Sequence, residues 1–141
     1  MPILAQTKKA KQMEKRIINP WEWQNERSYN QAVEVKSQEG TLYVSGQAAV
    51  NADGTSSKEN MESQIKLALN NLETVLAKAG YEPKGIVRLT IYTTDAEDLW
   101  KHFHIFQDWI AKHGVQQATS LMEVKTLFET LKVEFEATVV K

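Results

Sequence analysis

The stretch Ile86-Val87-Arg88-Leu89-Thr90-Ile91-Tyr92-Thr93 alternates along its length. Val87, Leu89 and Ile91 fall on one side, and Arg88, Thr90 and Tyr92 on the other. Side chains of an extended chain point to opposite faces in turn, so this pattern predicts a half-buried strand. An amphipathic helix is predicted on each side of it. Before it, Met61, Ile65, Ala68, Leu69, Leu72, Val75, Leu76 and Ala79 recur at intervals of three and four, which places them on one helical face. Ser56 with Glu59 three residues on fits a capping box, while Gly80 and Pro83 provide the stop. After the strand, Asp95 is a natural N-cap, with acidic Glu97 and Asp98 in the first turn. Leu99, Phe103, Phe106 and Ile110 form the apolar stripe of this second helix, and Gly114 ends it.

Further out, Gln31 to Val35 and Thr41 to Ser45 read as a hairpin around Ser37-Gln38-Glu39-Gly40. Asn51-Ala52-Asp53-Gly54 is strong turn chemistry. Two last strands are expected near Ser120 to Val124 and Leu131 to Val140. The resulting order is β-β-α-β-α-β-β, an α+β layer with one mixed sheet and both helices on one face. The opposite face then carries Arg88, Tyr92 and Glu134. Leu42 or Leu121 would be hard to place there if it met only water, and a partner subunit would resolve this.

The chain has 141 residues, of which 25% are charged and 42% hydrophobic, with a net charge of −1. Such a balance is ordinary for a soluble domain and disfavours nucleic acid as a partner, since no surplus of cations exists to neutralise phosphates. There are no cysteines, which excludes disulfides, thiolate metal sites and thiol catalysis. No apolar run reaches membrane-spanning length, so no membrane partner is expected and a cytoplasmic protein is read. Residues 1–16 carry Lys8, Lys9, Lys11, Lys15 and Arg16 after a short apolar patch, the reverse of a secretory signal. They are read as a flexible N-terminal arm ahead of a single domain over residues 17–141.

Several segments, taken together, resemble the RidA/YjgF family (reactive intermediate deaminase A, labelled in older usage endoribonuclease L-PSP). They are Tyr29-Asn30-Gln31-Ala32-Val33, Ser45-Gly46-Gln47, Gln64 with Asn71-Leu72, Val75-Leu76 before Ala79-Gly80, Arg88 to Tyr92 with Asp95, Glu123-Val124, and Val133 to Ala137. The resemblance runs from about Ile17 to the C-terminus. It implies a chorismate-mutase-like fold, a homotrimer, and small-molecule clefts between neighbouring subunits, with no cofactor. It also implies hydrolysis of enamines or imines to a keto acid and ammonia, with an arginine gripping the substrate carboxylate. That arginine belongs to a Pro-Ala-Arg-Ser segment, and here the segment reads Gln117-Ala118-Thr119-Ser120.

Carried across residue by residue, the resemblance makes Glu134 the catalytic carboxylate and Tyr29, Gly46 and Thr119 substrate-binding positions. Arg88 and Lys125 are candidates to supply a charge that Thr119 lacks. Each has a plainer reading: Glu134 as an interface or solvent-facing acid, Thr119 as a strand former, Tyr29 as a half-buried edge aromatic, Gly46 as a simple bulge. Trp21 and Trp23 either wall the cleft or cover the core. His102 and His104 are two apart on a helix and diverge, so no metal site is expected. Two functional classes stay open: a small-molecule hydrolase or deaminase using Glu134, and a non-catalytic metabolite-binding or interaction protein. Ribonuclease action ranks last, because neither a basic groove nor a suitable histidine pair exists.

Overall fold

The computed structural model describes residues 11–141. In chain order it contains β1 (Glu14–Ile18), a 3-10 turn (Trp23–Arg27), β2 (Ala32–Lys36), β3 (Thr41–Ala48), α1 (Met61–Ala79), a second 3-10 turn (Pro83–Gly85), β4 (Ile86–Thr93), α2 (Ala96–Lys101), α3 (Phe103–His113), β5 (Ala118–Glu123) and β6 (Val133–Val140). The four strands of the main sheet lie in the order β3-β6-β4-β5. β6 pairs antiparallel with β3 and β4, while β4 and β5 run parallel, so the sheet is mixed. A parallel neighbour requires a crossover, and α2 and α3 provide it.

Helices cover one face only. Leu89 and Ile91 of β4 and Val133, Phe135, Ala137 and Val139 of β6 form the inner face, joined by Ile65, Ala68, Leu69, Leu72 and Leu76 of α1 in one buried cluster. Phe106 of α3 stacks on Phe135 at 5.8 Å between centroids. α1 begins at Asn60, whose Oδ1 accepts from the Ser63 amide at 3.0 Å, and ends at Gly80 in the left-handed region (φ 76). The N-cap is therefore four residues past Ser56, the one the capping box predicted. Ser56 instead donates to Glu129 at 3.0 Å, and the Ser57 hydroxyl accepts from the Glu59 amide at 3.1 Å.

Several expectations change in detail. β2 does not pair with β3 but with β1, where Arg16 faces Glu34 and the two form an ion pair at 3.2 Å. Gly40, at the end of the expected hairpin turn, exchanges backbone hydrogen bonds with Lys141 beyond β6. Alternation specifies which face a strand shows but not which strand it pairs with. β1 also starts inside the segment read as a flexible arm, so the boundary at residue 17 falls within a strand; residues 1–10 of that arm lie outside the described residues. The second helix is two helices, interrupted at His102 (φ −119, ψ 10). The apolar stripe continues across the break, so periodicity does not reveal it. Leu42 and Leu121 pack against the inner core and give the outer face no apolar surplus; Tyr43, 80% exposed, and Met122, 43% exposed, supply that surplus instead. Among the described residues no helix is long and apolar enough to cross a membrane.

One buried side chain joins the layers. Gln64 of α1 is fully buried; its Nε2 donates to the Glu59 and Thr130 carbonyls, each at 3.1 Å, and its Oε1 accepts from the Lys132 amide at 2.8 Å. It thereby holds Lys132, the residue just ahead of β6 and two before Glu134. Gln64→Leu would keep the shape and strand these backbone groups without partners, at a cost of at least about 2 kcal/mol. Urea unfolding at one fixed protein concentration measures this; a loss under about 0.5 kcal/mol, the size of an ordinary surface change, would contradict it.

Candidate functional site

Two groups of residues emerge, one on each face of the sheet. On the outer face, β4 and β6 set Tyr92 opposite Glu134, Thr90 opposite Glu136 and Arg88 opposite Thr138. The Tyr92 hydroxyl donates to Glu136 Oε1 at 3.3 Å. Arg88 Nη2 donates to the Ser120 hydroxyl at 3.1 Å, on the same face. Burial, then the charges of Glu136 and Glu134, hold the Tyr92 phenol above its ordinary range.

Glu134 lies over a bulge in β3. Val44 pairs with Ala137 and Gln47 with Phe135, so Ser45 and Gly46 together oppose Glu136. The Glu134 side chain rests on Gly46. A β-carbon at Gly46 would stand 2.5 Å from Glu134 Cδ and 2.7 Å from its Cγ, too close for any other residue to fit without displacing the acid. The glycine is therefore a notch for this carboxylate. Burial first, and then the Glu136 charge, push the Glu134 pKa upward.

The second group faces the helices at the β5 edge. Thr119 pairs in register with Leu89, an inner-face residue, and so points to the helix side. It lines a pocket of about 210 Å³ with Tyr29, Leu121, Phe103, Trp100 and Arg27. Its hydroxyl is buried and makes no hydrogen bond among the described residues. Tyr29 also borders a more polar hollow of about 190 Å³ that includes Asn25, Asn30, Gln107 and Gln117. Trp21 and Trp23 do not cover the core: they are 56% and 49% exposed, and they stack on each other at 6.0 Å. Trp23 meets Tyr29 edge-on at 6.5 Å.

Within one protomer, then, the predicted site residues divide. Tyr29 and Thr119 come together in the pocket, and Gly46 and Glu134 come together in the notch. β4 separates the strands that carry Thr119 and Glu134, and the two side chains leave on opposite faces. Arg88 is absent from the lining of the Thr119 pocket, and Lys125 borders a separate hollow on the loop before β6. The cation that does line the pocket is Arg27, which sequence reasoning missed. The available signal was its position two residues before Tyr29 in a tryptophan-rich turn. Among the described residues no cluster of three or more histidine, cysteine or acidic groups could hold a metal ion.

Comparison with known proteins agrees with this architecture. Residues 22–141 match a family described as Endoribonuclease L-PSP. A RutC family protein of Aquifex aeolicus is 33% identical over 113 residues, covering 80% of this chain and 88% of that protein. TdcF of Escherichia coli, whose name provisionally makes it a reactive intermediate deaminase, is 25% identical over 114 residues, 80% of this chain and 86% of TdcF. The crystal structure of YyfB from Yersinia pestis, a Rid-family protein of unknown function, superposes with a TM-score of 0.79 at 29% identity, covering 90% of this chain and 98% of YyfB.

The Glu134 environment has a measurable consequence. A carboxyl whose folded pKa is raised loses its proton later than in the unfolded chain, so stability falls as pH rises from the unfolded value towards the folded one. Glu134→Gln removes that penalty. It should melt above the wild type at neutral pH, and the difference should close as pH falls below the ordinary glutamate value of 4.5. A pH-independent difference, or a variant less stable at neutral pH, would show that burial does not dominate at this carboxyl.

Proposed function

We propose that this chain, which belongs to the RidA/YjgF (endoribonuclease L-PSP) family, acts as a homotrimer that hydrolyses enamines, imines or related activated metabolites in clefts between its subunits. The observation that carries this reading is the division of the site. A pocket with Tyr29 and Thr119 opens on one side of the sheet, and a poised carboxylate occupies the other. A neighbouring copy whose outer face meets the β5 edge would bring its own Glu134 to the Tyr29–Thr119 pocket. Exposed Tyr43 and Met122 support burial of that outer face in an assembly.

The chemistry assigned to Glu134 is general base and acid work on water. Its carboxylate takes a proton from a water whose oxygen bonds to the imine carbon and hands that proton to the imine nitrogen, giving a hydroxy-amine and regenerating the carboxylate. The proton of the new hydroxyl then passes to nitrogen, the C–N bond breaks, ammonia leaves and a carbonyl remains. A carboxyl with a raised pKa is better matched to this exchange near neutral pH than an ordinary one. Thr119 offers a substrate carboxylate at most a single neutral hydrogen bond. A bond to a charged group is worth about 1.5–3 kcal/mol, so the lack of a guanidinium at this position weakens binding of small 2-imino acids roughly ten- to a hundred-fold.

Ammonia release from freshly generated 2-aminoacrylate or iminopropionate tests this. Thr119→Arg should raise kcat/KM at least about ten-fold, and adding Glu134→Gln should abolish the gain. Wild-type turnover equal to that of arginine-bearing relatives would contradict the role given to Thr119. Binding without turnover of any imine would leave the metabolite-binding reading in its place.

A further inference from the structure

The pocket beside Thr119 contains a cation that comes from no strand. Arg27 closes the 3-10 turn Trp23–Arg27 and lines the same pocket as Tyr29 and Thr119. Its Cζ lies 5.0 Å from the centroid of the Trp23 ring. A ring against one face of a planar guanidinium orients it and leaves its edge N–H groups free to fork a carboxylate. Among the described residues no carboxylate forms an ion pair with Arg27.

The backbone that presents this arginine is held from both sides. Ser28 adopts the left-handed conformation (φ 61, ψ 44), which a non-glycine residue keeps only where its surroundings enforce it. Gln117 Nε2 donates to the Ser28 carbonyl at 2.8 Å, and Gln107 Nε2 donates to the Glu26 carbonyl at 2.9 Å. The Asn30 amide donates to the Gln117 carbonyl at 2.9 Å. The carbonyls on either side of Arg27 are thus bonded to α3 and to the entry of β5, so the backbone that carries this exposed cation is fixed before any ligand arrives. The rest of the wall is apolar: Leu121, and Phe103 with Trp100 packed edge-to-face at 4.8 Å.

We propose that this pocket binds a small organic acid bearing an aromatic or branched apolar group, with its carboxylate forked by Arg27 and its apolar body against Trp100, Phe103 and Leu121. This assignment rests on the reading of the Tyr29–Thr119 pocket as the ligand-holding half of the cleft. It narrows the substrate class from imines in general to those derived from bulky apolar 2-amino acids.

Calorimetric titration of the intact protein with three probes tests it: phenylpyruvate, phenylacetone, which lacks the carboxylate, and pyruvate, which lacks the ring. Wild type should prefer phenylpyruvate to both. Arg27→Gln should weaken phenylpyruvate roughly ten- to a hundred-fold and leave phenylacetone unchanged, with Arg27→Lys between the two because an ammonium has no fork. Three results would each overturn the assignment: no phenylpyruvate binding by wild type, equal binding by Arg27→Gln, or an equal loss for phenylacetone, which would make the arginine structural. Imine hydrolysis by Glu134→Gln is scored separately. Its loss, with Arg27→Gln inert, removes only the carboxylate assignment. Its persistence removes the cleft chemistry and leaves the binding result standing.

Discussion

Alternation along β6 is the constraint from which the arrangement of this protein follows. The strand is hydrogen-bonded on both edges, to β3 and β4, so its register cannot slip without breaking two ladders. Val133, Phe135, Ala137 and Val139 must face the helices to fill the core. Glu134 and Glu136 are thereby sent to the other face. The same rule, applied through β4 to β5, sends Thr119 to the helix side with Leu89. Glu134 and the Tyr29–Thr119 pocket thus end on opposite faces of one sheet, and only association with another copy of the chain can bring the two kinds of surface together. The bulge at Ser45-Gly46 adds the local fit that lets Glu134 lie against backbone.

Most of the layer was readable in the residues themselves. β4 announces itself by alternation, α1 by its stripe and by Gly80, and α2 by Asp95, whose Oδ1 accepts from the Asp98 amide at 3.1 Å. The choice of Glu134 as an outer-face acid followed from the same two-residue period. What stayed hidden depends on partners distant in sequence. β2 pairs with β1, and Gly40 exchanges backbone bonds with Lys141, so the partner of each segment lies outside the stretch whose pattern suggested a hairpin. The interruption at His102 preserves the spacing of Leu99, Phe103 and Phe106, so the stripe reads as continuous.

The site was legible only in part for a related reason. Glu134 and Thr119 sit at strand positions, where register fixes direction. Arg27 belongs to an irregular turn whose course is set by Gln107 and Gln117, about eighty to ninety residues further along. Arg27 is exposed, as charge on a turn normally is, and the long-range amide bonds set the course of the turn that brings it to the pocket rim. Arg88, by contrast, looked suitable as a strand cation but is committed to Ser120 on the outer face. The proposed cleft therefore draws on the segment that precedes β2 as much as on the sheet.

The central claim is that Thr119 of one copy meets Glu134 of another. The chain has no cysteine of its own, so introduced thiols report without background. The most direct measurement is cross-linking of the double variant Thr119→Cys, Glu134→Cys with a short bis-maleimide, read on a denaturing gel. The account predicts covalent dimers and trimers, with neither single variant forming them alone. A product that stays at the 16.1 kDa of one chain would contradict it.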